Sequence, residues 1–389
     1  MPPRPPAQTV STGLVVAIVG FFSSFPIVLQ GLAGVGADAA QAASGLMFAA
    51  LSMGLTGIVL SLWTRSPASV AWSTPGAALL AVTSMPQDGF AGAVAGFMMA
   101  GALTVIAARW RPLRRLTAAI PGPIAQAMLA GVLFSLCLRP FEALAEIPGL
   151  ALPILLTWFA VGQFSRPFAV PAAVVAGALV VLIQADFDIP APERLIAAPV
   201  WVMPVFSIEA FTNIALPLFI VTMATQNIPG LAVLRSYGYR PEPSPLVASV
   251  GAASILSAPF GSPATCLAAI TAAMCSNEDS HPDPTQRYWS AVMAGVFYCL
   301  LGLFAGVITG FAALAPALVL GTVAGIALLG VFAGSACSAL EDPDCRQAAT
   351  FTFLITASGV TILGLSAAVW GLVIGGVMQA ISFRLRRRA

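Results

Sequence analysis

Apolar runs long enough to cross about 30 Å of hydrocarbon recur from Val10 to Phe383, and nothing between them is long enough for a soluble domain. Only 8% of the 389 residues are charged, against roughly 25% in soluble domains. Mean hydropathy is +0.94. The chain therefore reads as an all-α polytopic membrane protein. A cleavable signal is not expected, because the first apolar run is followed at once by further membrane segments.

Charge sets the expected topology. All seventeen basic residues are Arg, and short cytoplasmic loops collect positive charge. Fourteen crossings put all of them except Arg139 and Arg194 on one side, with Asp38, Asp88, Glu142, Glu146, Asp186, Asp188 and Glu193 opposite. Both termini are then cytoplasmic. The basic tail from Arg384 to Arg388 reads as a stop signal facing anionic lipid, and no basic patch points to nucleic acid. The six Cys form no CxxC pair and lie mostly inside apolar runs, so they read as small core residues; no metal or cofactor is expected.

The crossings expected in the first half are residues 10–32, 42–63, 69–85, 89–110, 120–138, 150–164 and 170–185. Those in the second half are 211–234, 246–258, 262–275, 288–311, 316–337, 348–365 and 367–383, after a linker at 187–204. The halves echo each other: Gly31-Leu32-Ala33 matches Gly230-Leu231-Ala232 at a spacing of 199, Thr74-Pro75 matches Ser262-Pro263 at 188, and Ala130-Gly131 matches Ala324-Gly325 at 194. Two repeats of seven crossings each are inverted relative to one another. Small-residue pairs such as Gly92/Gly96, Gly321/Gly325 and Gly330/Gly334 are read as helix contacts.

Segments three and ten are short and broken by Pro. Thr74-Pro75 and Ser262-Pro263 read as N-cap and first helical position, each starting a half-helix inside the membrane after an extended stretch at 69–73 or 258–261. Broken segments at matching places in two halves point to a transporter's substrate site. Two helix starts meeting there would gather partial positive charge, which suits an anion. The competing reading is a pair of ordinary Pro-kinked helices.

No confidently placed mid-membrane position is charged. What remains polar is Gln30, Gln126 and Thr225-Gln226-Asn227. Gln226 and Asn227 are expected to bond substrate, with Gln30 near the same level, whereas Gln126 is read as tying helices together. Phe21, Phe22, Phe25, Trp72 and Phe260 could wall a ring. Glu209 is read as an interface residue and His281 as a solvated loop residue. An enzyme would need a His pair, a carboxylate pair or a metal set within the bilayer, and none is visible.

The segments Trp72-Ser73-Thr74-Pro75-Gly76-Ala77-Ala78-Leu79-Leu80, Ala224-Thr225-Gln226-Asn227-Ile228-Pro229-Gly230 and Pro259-Phe260-Gly261-Ser262-Pro263-Ala264-Thr265 resemble the signatures of the benzoate/proton symporter (BenE) family. The likeness covers essentially the whole chain. It implies an inner-membrane carrier for benzoate or a similar aromatic carboxylate, driven by the proton gradient. More distantly the layout resembles the nucleobase and sulfate transporter fold. That fold implies a core domain from residues 10–112 and 205–311, a gate domain from 113–187 and 312–389, and a cytoplasmic tail at 1–9. Carriers of that fold are often dimers through their gate domains, which leaves a homodimer open. In its nucleobase members an acidic residue of crossing eight binds substrate, whereas Gln226 stands here and favours an anion.

The expected site comprises Phe25, Gln30, Ser73, Thr74, Gly76, Gln226, Asn227, Phe260, Gly261, Ser262, Ala264 and Thr265. A nucleobase or inorganic-anion carrier on the same fold is the alternative. The proton route is open between the substrate's own carboxyl, Glu209, Asp38 and water.

Overall fold

A computed structural model describes residues 5–110, 121–184, 196–360, 362 and 365–386. The chain starts with α1 (Ala7–Phe22) and α2 (Phe25–Gly34), two helices that share a single apolar length of 28 residues. The expected crossing at 10–32 is thus broken at Ser23-Ser24. Pro26 sits in the first turn of α2, where its missing N–H costs nothing, and Ser24 Oγ donates back to Gly20 O at 2.9 Å. α3 (Ala39–Thr64) opens on a capping box between Asp38 and Gln41 and ends at Arg65, whose φ of 52° is left-handed.

Next come β1 (Val70–Trp72), α4 (Thr74–Ala81), α5 (Gly89–Arg109), α6 (Gly122–Glu146), α7 (Pro148–Phe164) and α8 (Arg166–Gln184). The second half contains α9 (Ile208–Ser236), α10 (Pro243–Ser257), β2 (Thr265–Leu267) and α11 (Ala269–Ser276). α12 (Tyr288–Leu303), α13 (Ala305–Leu314), α14 (Ala317–Glu341), α15 (Arg346–Ala357) and α16 (Ala367–Arg386) complete it. Among the described residues eight helices are long and apolar enough to cross a membrane, or nine if the pair around Phe304, bent by 55°, counts as one. Fourteen separate crossings are not established by that measure. The expected crossing at 348–365 overlaps a helix of only 12 residues, α15, which begins at Arg346.

The two strands pair with each other. β1 and β2 run antiparallel with Val70 opposite Leu267, Ala71 opposite Cys266 and Trp72 opposite Thr265. Each is followed almost at once by a helix of 8 residues, α4 or α11. The ladder is centred on Ala71 and Cys266, 195 positions apart.

That arrangement corrects the reading of segment ten. Ser262-Pro263 does not start the helix: α11 begins at Ala269, with Ala268 as an N-cap that has no side-chain cap. Nor are residues 258–261 extended. Ala258–Phe260 is a 3-10 turn and Gly261 reverses the chain at φ 87°. Neighbouring side chains keep the following residues extended. Thr265 N–H donates to Ser254 Oγ at 2.9 Å and Leu267 N–H to Asn227 Oδ1 at 2.9 Å, bonds that a helix begun at Pro263 would forgo.

Around the ladder, α3 packs on α12, α5 on α10 and α2 on α4; elsewhere α6 packs on α14, α15 and α16, and α7 on α8. Backbones approach closely at glycine, since a Cβ on Gly54 would lie 2.6 Å from Gly295 O and one on Gly101 2.9 Å from Gly251 O. Gly330 and Gly334 differ from the expectation: a Cβ on either would meet nothing within 4 Å. The Cys residues are all unpaired and mostly buried.

Candidate functional site

The start of α4 is built from both halves of the chain. Ser73 caps it, with Oγ accepting from Gly76 N–H at 3.1 Å and from the Thr222 hydroxyl of α9 at 2.8 Å, while Ser73 N–H donates to Ala264 O at 2.8 Å. First-turn N–H groups have no partner inside their own helix. Pro75 has none to offer and Ser73 takes that of Gly76, which leaves the N–H of half-buried Thr74. A Cβ on Gly76 would lie 2.5 Å from Leu218 Cδ1 and 2.8 Å from the capping Ser73 Oγ, so a side chain there would crowd the cap. Thr265 Oγ1 and Ser52 Oγ are 2.8 Å apart, which ties β2 to α3.

The start of α11 lies at the other end of the ladder. Ala268 N–H donates to Ser69 O at 3.0 Å, and the Ser69 and Thr271 hydroxyls are 2.8 Å apart. Ser69 and Ser73 are separated by the length of β1, about 13 Å at the usual rise per residue. The two helix starts therefore do not converge on one spot as expected. The helix start that accompanies α4 is that of α2. These two run side by side in the same direction, since a Cβ on Gly31 would lie 2.5 Å from Ala77 O and one on Gly34 2.8 Å from Leu80 O.

Gln30 of α2 is consequently level with Gly76. Its amide and that of Gln226 make no hydrogen bond to the described residues, and both side chains are half-buried. Gln226 lies in a π-helical stretch of α9, Met223–Asn227, and a second one covers Phe211–Ala215. Such wide turns recur at functional sites. Asn227 is engaged by the protein: fully buried, it holds the Leu267 N–H through Oδ1 and places Nδ2 3.3 Å from Met223 Sδ. Gln126 of α6 shows no helix-tying hydrogen bond to the described residues.

The aromatic residues form two groups. Phe21 lies 5.1 Å from Trp72 and 6.0 Å from Phe25 between ring centroids, and Trp72 Nε1–H donates to Ser24 Oγ at 2.8 Å. Phe22, Phe25 and Pro26 border an apolar cavity of about 140 Å³, lined on its other side by α8, α13 and α14. Phe260 belongs elsewhere, stacked 3.9 Å from Phe48 and edge-on to Trp201 at 5.2 Å. Gly261 and Ser262 adjoin Phe260: Gly261 packs on α3, and buried Ser262 donates to Pro263 O at 3.2 Å. The structure thus gathers Ser73, Thr74, Gly76, Ala264 and Thr265 at one ladder end, with Gln30 level and Phe25 beyond Trp72. Asn227 contacts the other end, and Phe260, Gly261 and Ser262 stand apart.

Thr222, Ser69, Thr271 and Ser24 were not among the expected site residues. Thr222 lies four residues before Gln226, so helical spacing offered a signal. Ser69 and Thr271 needed the strand register to be known. Every hydrogen bond holding the ladder comes from neutral groups. Among the described residues no group of three metal-capable side chains exists, and Glu209 is remote, accepting from Gln87 N–H at 3.4 Å. Asp283, in the loop after α11, is held below the usual carboxylate range by the Thr285 hydroxyl and N–H.

A family model described as "Benzoate membrane transport protein" matches residues 4–381. The chain is 38% identical over 376 residues to the inner membrane protein YdcO of Escherichia coli strain K12, covering 97% of this chain and 96% of that protein. It is 35% identical over 329 residues to the benzoate membrane transport protein of Acinetobacter baylyi, covering 84% and 83%. Among solved structures, the transmembrane domain of the cyanobacterial bicarbonate transporter BicA aligns with TM-score 0.59 at 17% identity, covering 96% of each chain. SLC26A9 aligns with TM-score 0.61 at 12% identity, covering 97% of this chain and 65% of that one.

Proposed function

Because the chain belongs to the BenE family of benzoate membrane transport proteins, we propose that it imports benzoate or a similar aromatic carboxylate together with protons. Its apolar helices and its likeness to an inner membrane protein make it a multi-pass inner-membrane transporter. What supports the substrate is a set of neutral donors near the Ser73 end of the ladder together with a separate apolar cavity bordered by Phe22 and Phe25. The Thr74 N–H and the Gln30 amide serve the carboxylate, and Gln226 approaches from α9. Beside Phe25 the apolar cavity of about 140 Å³ matches the size of a benzene ring; cavities of about 150 Å³ accept one. Among the described residues no carboxylate hydrogen-bonds to the ladder or its helix starts, so none is set there to repel the anion.

In this reading the helices around the ladder form a core that moves against a gate made of α6, α7, α8, α14, α15 and α16. Both termini face the cytoplasm. Contacts tie several Arg-bearing ends to one face of the bundle: Arg65 bonds the Tyr288 hydroxyl, Tyr239 donates to Pro284 O, and Gln8 donates to Asp279 O.

Purified protein in liposomes tests the proposal. Labelled benzoate is expected to accumulate under an inward proton gradient and to leak out when the gradient is collapsed. No uptake in either condition would sink it. An inorganic anion would also be served by neutral donors, so competition by bicarbonate, sulfate and uracil against unlabelled benzoate decides the substrate class.

A further inference from the structure

A groove of about 340 Å³ runs where α7, α8 and α14 meet, away from the ladder. Its floor is made of small residues, among them Gly162, Ala169 and Gly330, and the space beside Gly330 is open, since a Cβ there would meet nothing within 4 Å. This is why Gly330 does not serve as a helix contact. The outer wall is apolar and meets hydrocarbon: Phe159 is 60% exposed and neighbouring Phe164 92%.

One end of the groove is different. Gln163 and Arg166 lie there, Arg166 being the first residue of α8, one residue beyond the turn that ends α7, whereas Trp158 lines the groove about 9 Å farther up α7. The Arg166 guanidinium is exposed and makes no ion pair or hydrogen bond with the described residues. By the Arg distribution this turn lies at the cytoplasmic interface, where the leaflet is negatively charged. An apolar trough ending at a free cation has the form of a lipid: tail, then headgroup.

We propose that the groove binds one anionic phospholipid, an acyl chain lying over Gly330 and the phosphate paired with Arg166. The charge of Arg166 selects an anionic headgroup over a zwitterionic one, and the open floor admits the chain.

Native mass spectrometry of the delipidated full-length protein, titrated with phosphatidylglycerol or phosphatidylethanolamine of matched chains, tests this. Phosphatidylglycerol is expected to bind more tightly. Arg166→Gln should raise its apparent Kd about fivefold, one basic contact's worth, and Arg166→Lys should keep the preference. Gly330→Leu, which fills the floor, should weaken both lipids alike. Arg166 lies at an exposed helix start and Gly330 faces open space, so all three variants are expected to keep the wild-type thermal midpoint. Equal binding of the two lipids by the wild type would overturn the proposal. So would lipid binding unchanged in Gly330→Leu together with a wild-type dimer that this variant splits, which would give the groove to a second copy of the chain.

Discussion

At the scale of single residues, Gln226 and Asn227 are adjacent in sequence yet differently employed. The Gln226 amide has no protein partner among the described residues, whereas Asn227 is buried and holds the backbone of β2. Gln226→Ala is therefore expected to raise the KM for benzoate about tenfold, the cost of one hydrogen bond to a charged group, with an unchanged unfolding midpoint. Asn227→Leu should do the opposite. It strands the Leu267 N–H in a dry interior and should destabilise the protein by about 1–3 kcal/mol, read as a lower thermal midpoint in detergent. Composition and the list of polar residues inside apolar runs were enough to single out both side chains. Their division of labour was not legible, because it depends on the π-helical turn of α9, which shifts side-chain directions by about one residue, and on a strand register that no local pattern encodes.

At the scale of elements, the ladder and the α2/α4 pair set the geometry of the site. Ser73-Thr74-Pro75 could be read as a helix start because a capping hydroxyl and a Pro are local signals, and α4 begins there. The matching motif Ser262-Pro263 misled. The same chemistry is overridden by side chains of α9 and α10 that hold residues 265–267 extended, so the second helix starts at Ala269. The break between α1 and α2 was visible only as Ser23-Ser24 before Phe25-Pro26. Gly31 makes the α2/α4 contact testable. Gly31→Ala places a Cβ against Ala77 O and should cost about 1–3 kcal/mol by overpacking, while lowering benzoate uptake because Gln30 moves with α2.

At the scale of the molecule, a hydroxyl-lined cavity of about 250 Å³ separates the end of α4, at Thr83 and Ser84, from α6, α15 and α16. If the two helix groups move against each other, joining them should stop transport. In a cysteine-free background, a short bifunctional thiol reagent bridging Thr83→Cys to Ser135→Cys is expected to abolish benzoate uptake. The same reagent bridging Ser135→Cys to Ala368→Cys, inside one group, should leave uptake largely intact. Equal loss in both pairs would argue against the division.

The ladder also imposes an order in time. β1 leaves the ribosome about 195 residues before β2, which at roughly 5–20 residues per second is a wait of some ten to forty seconds. During that wait its backbone groups have no strand to pair with, a costly state at mid-bilayer. The first half is therefore an unfinished body that needs shelter until the second arrives. Residues 1–204 made alone should be degraded in cells, and co-expression of residues 205–389 should restore their abundance, measured by immunoblot of the membrane fraction.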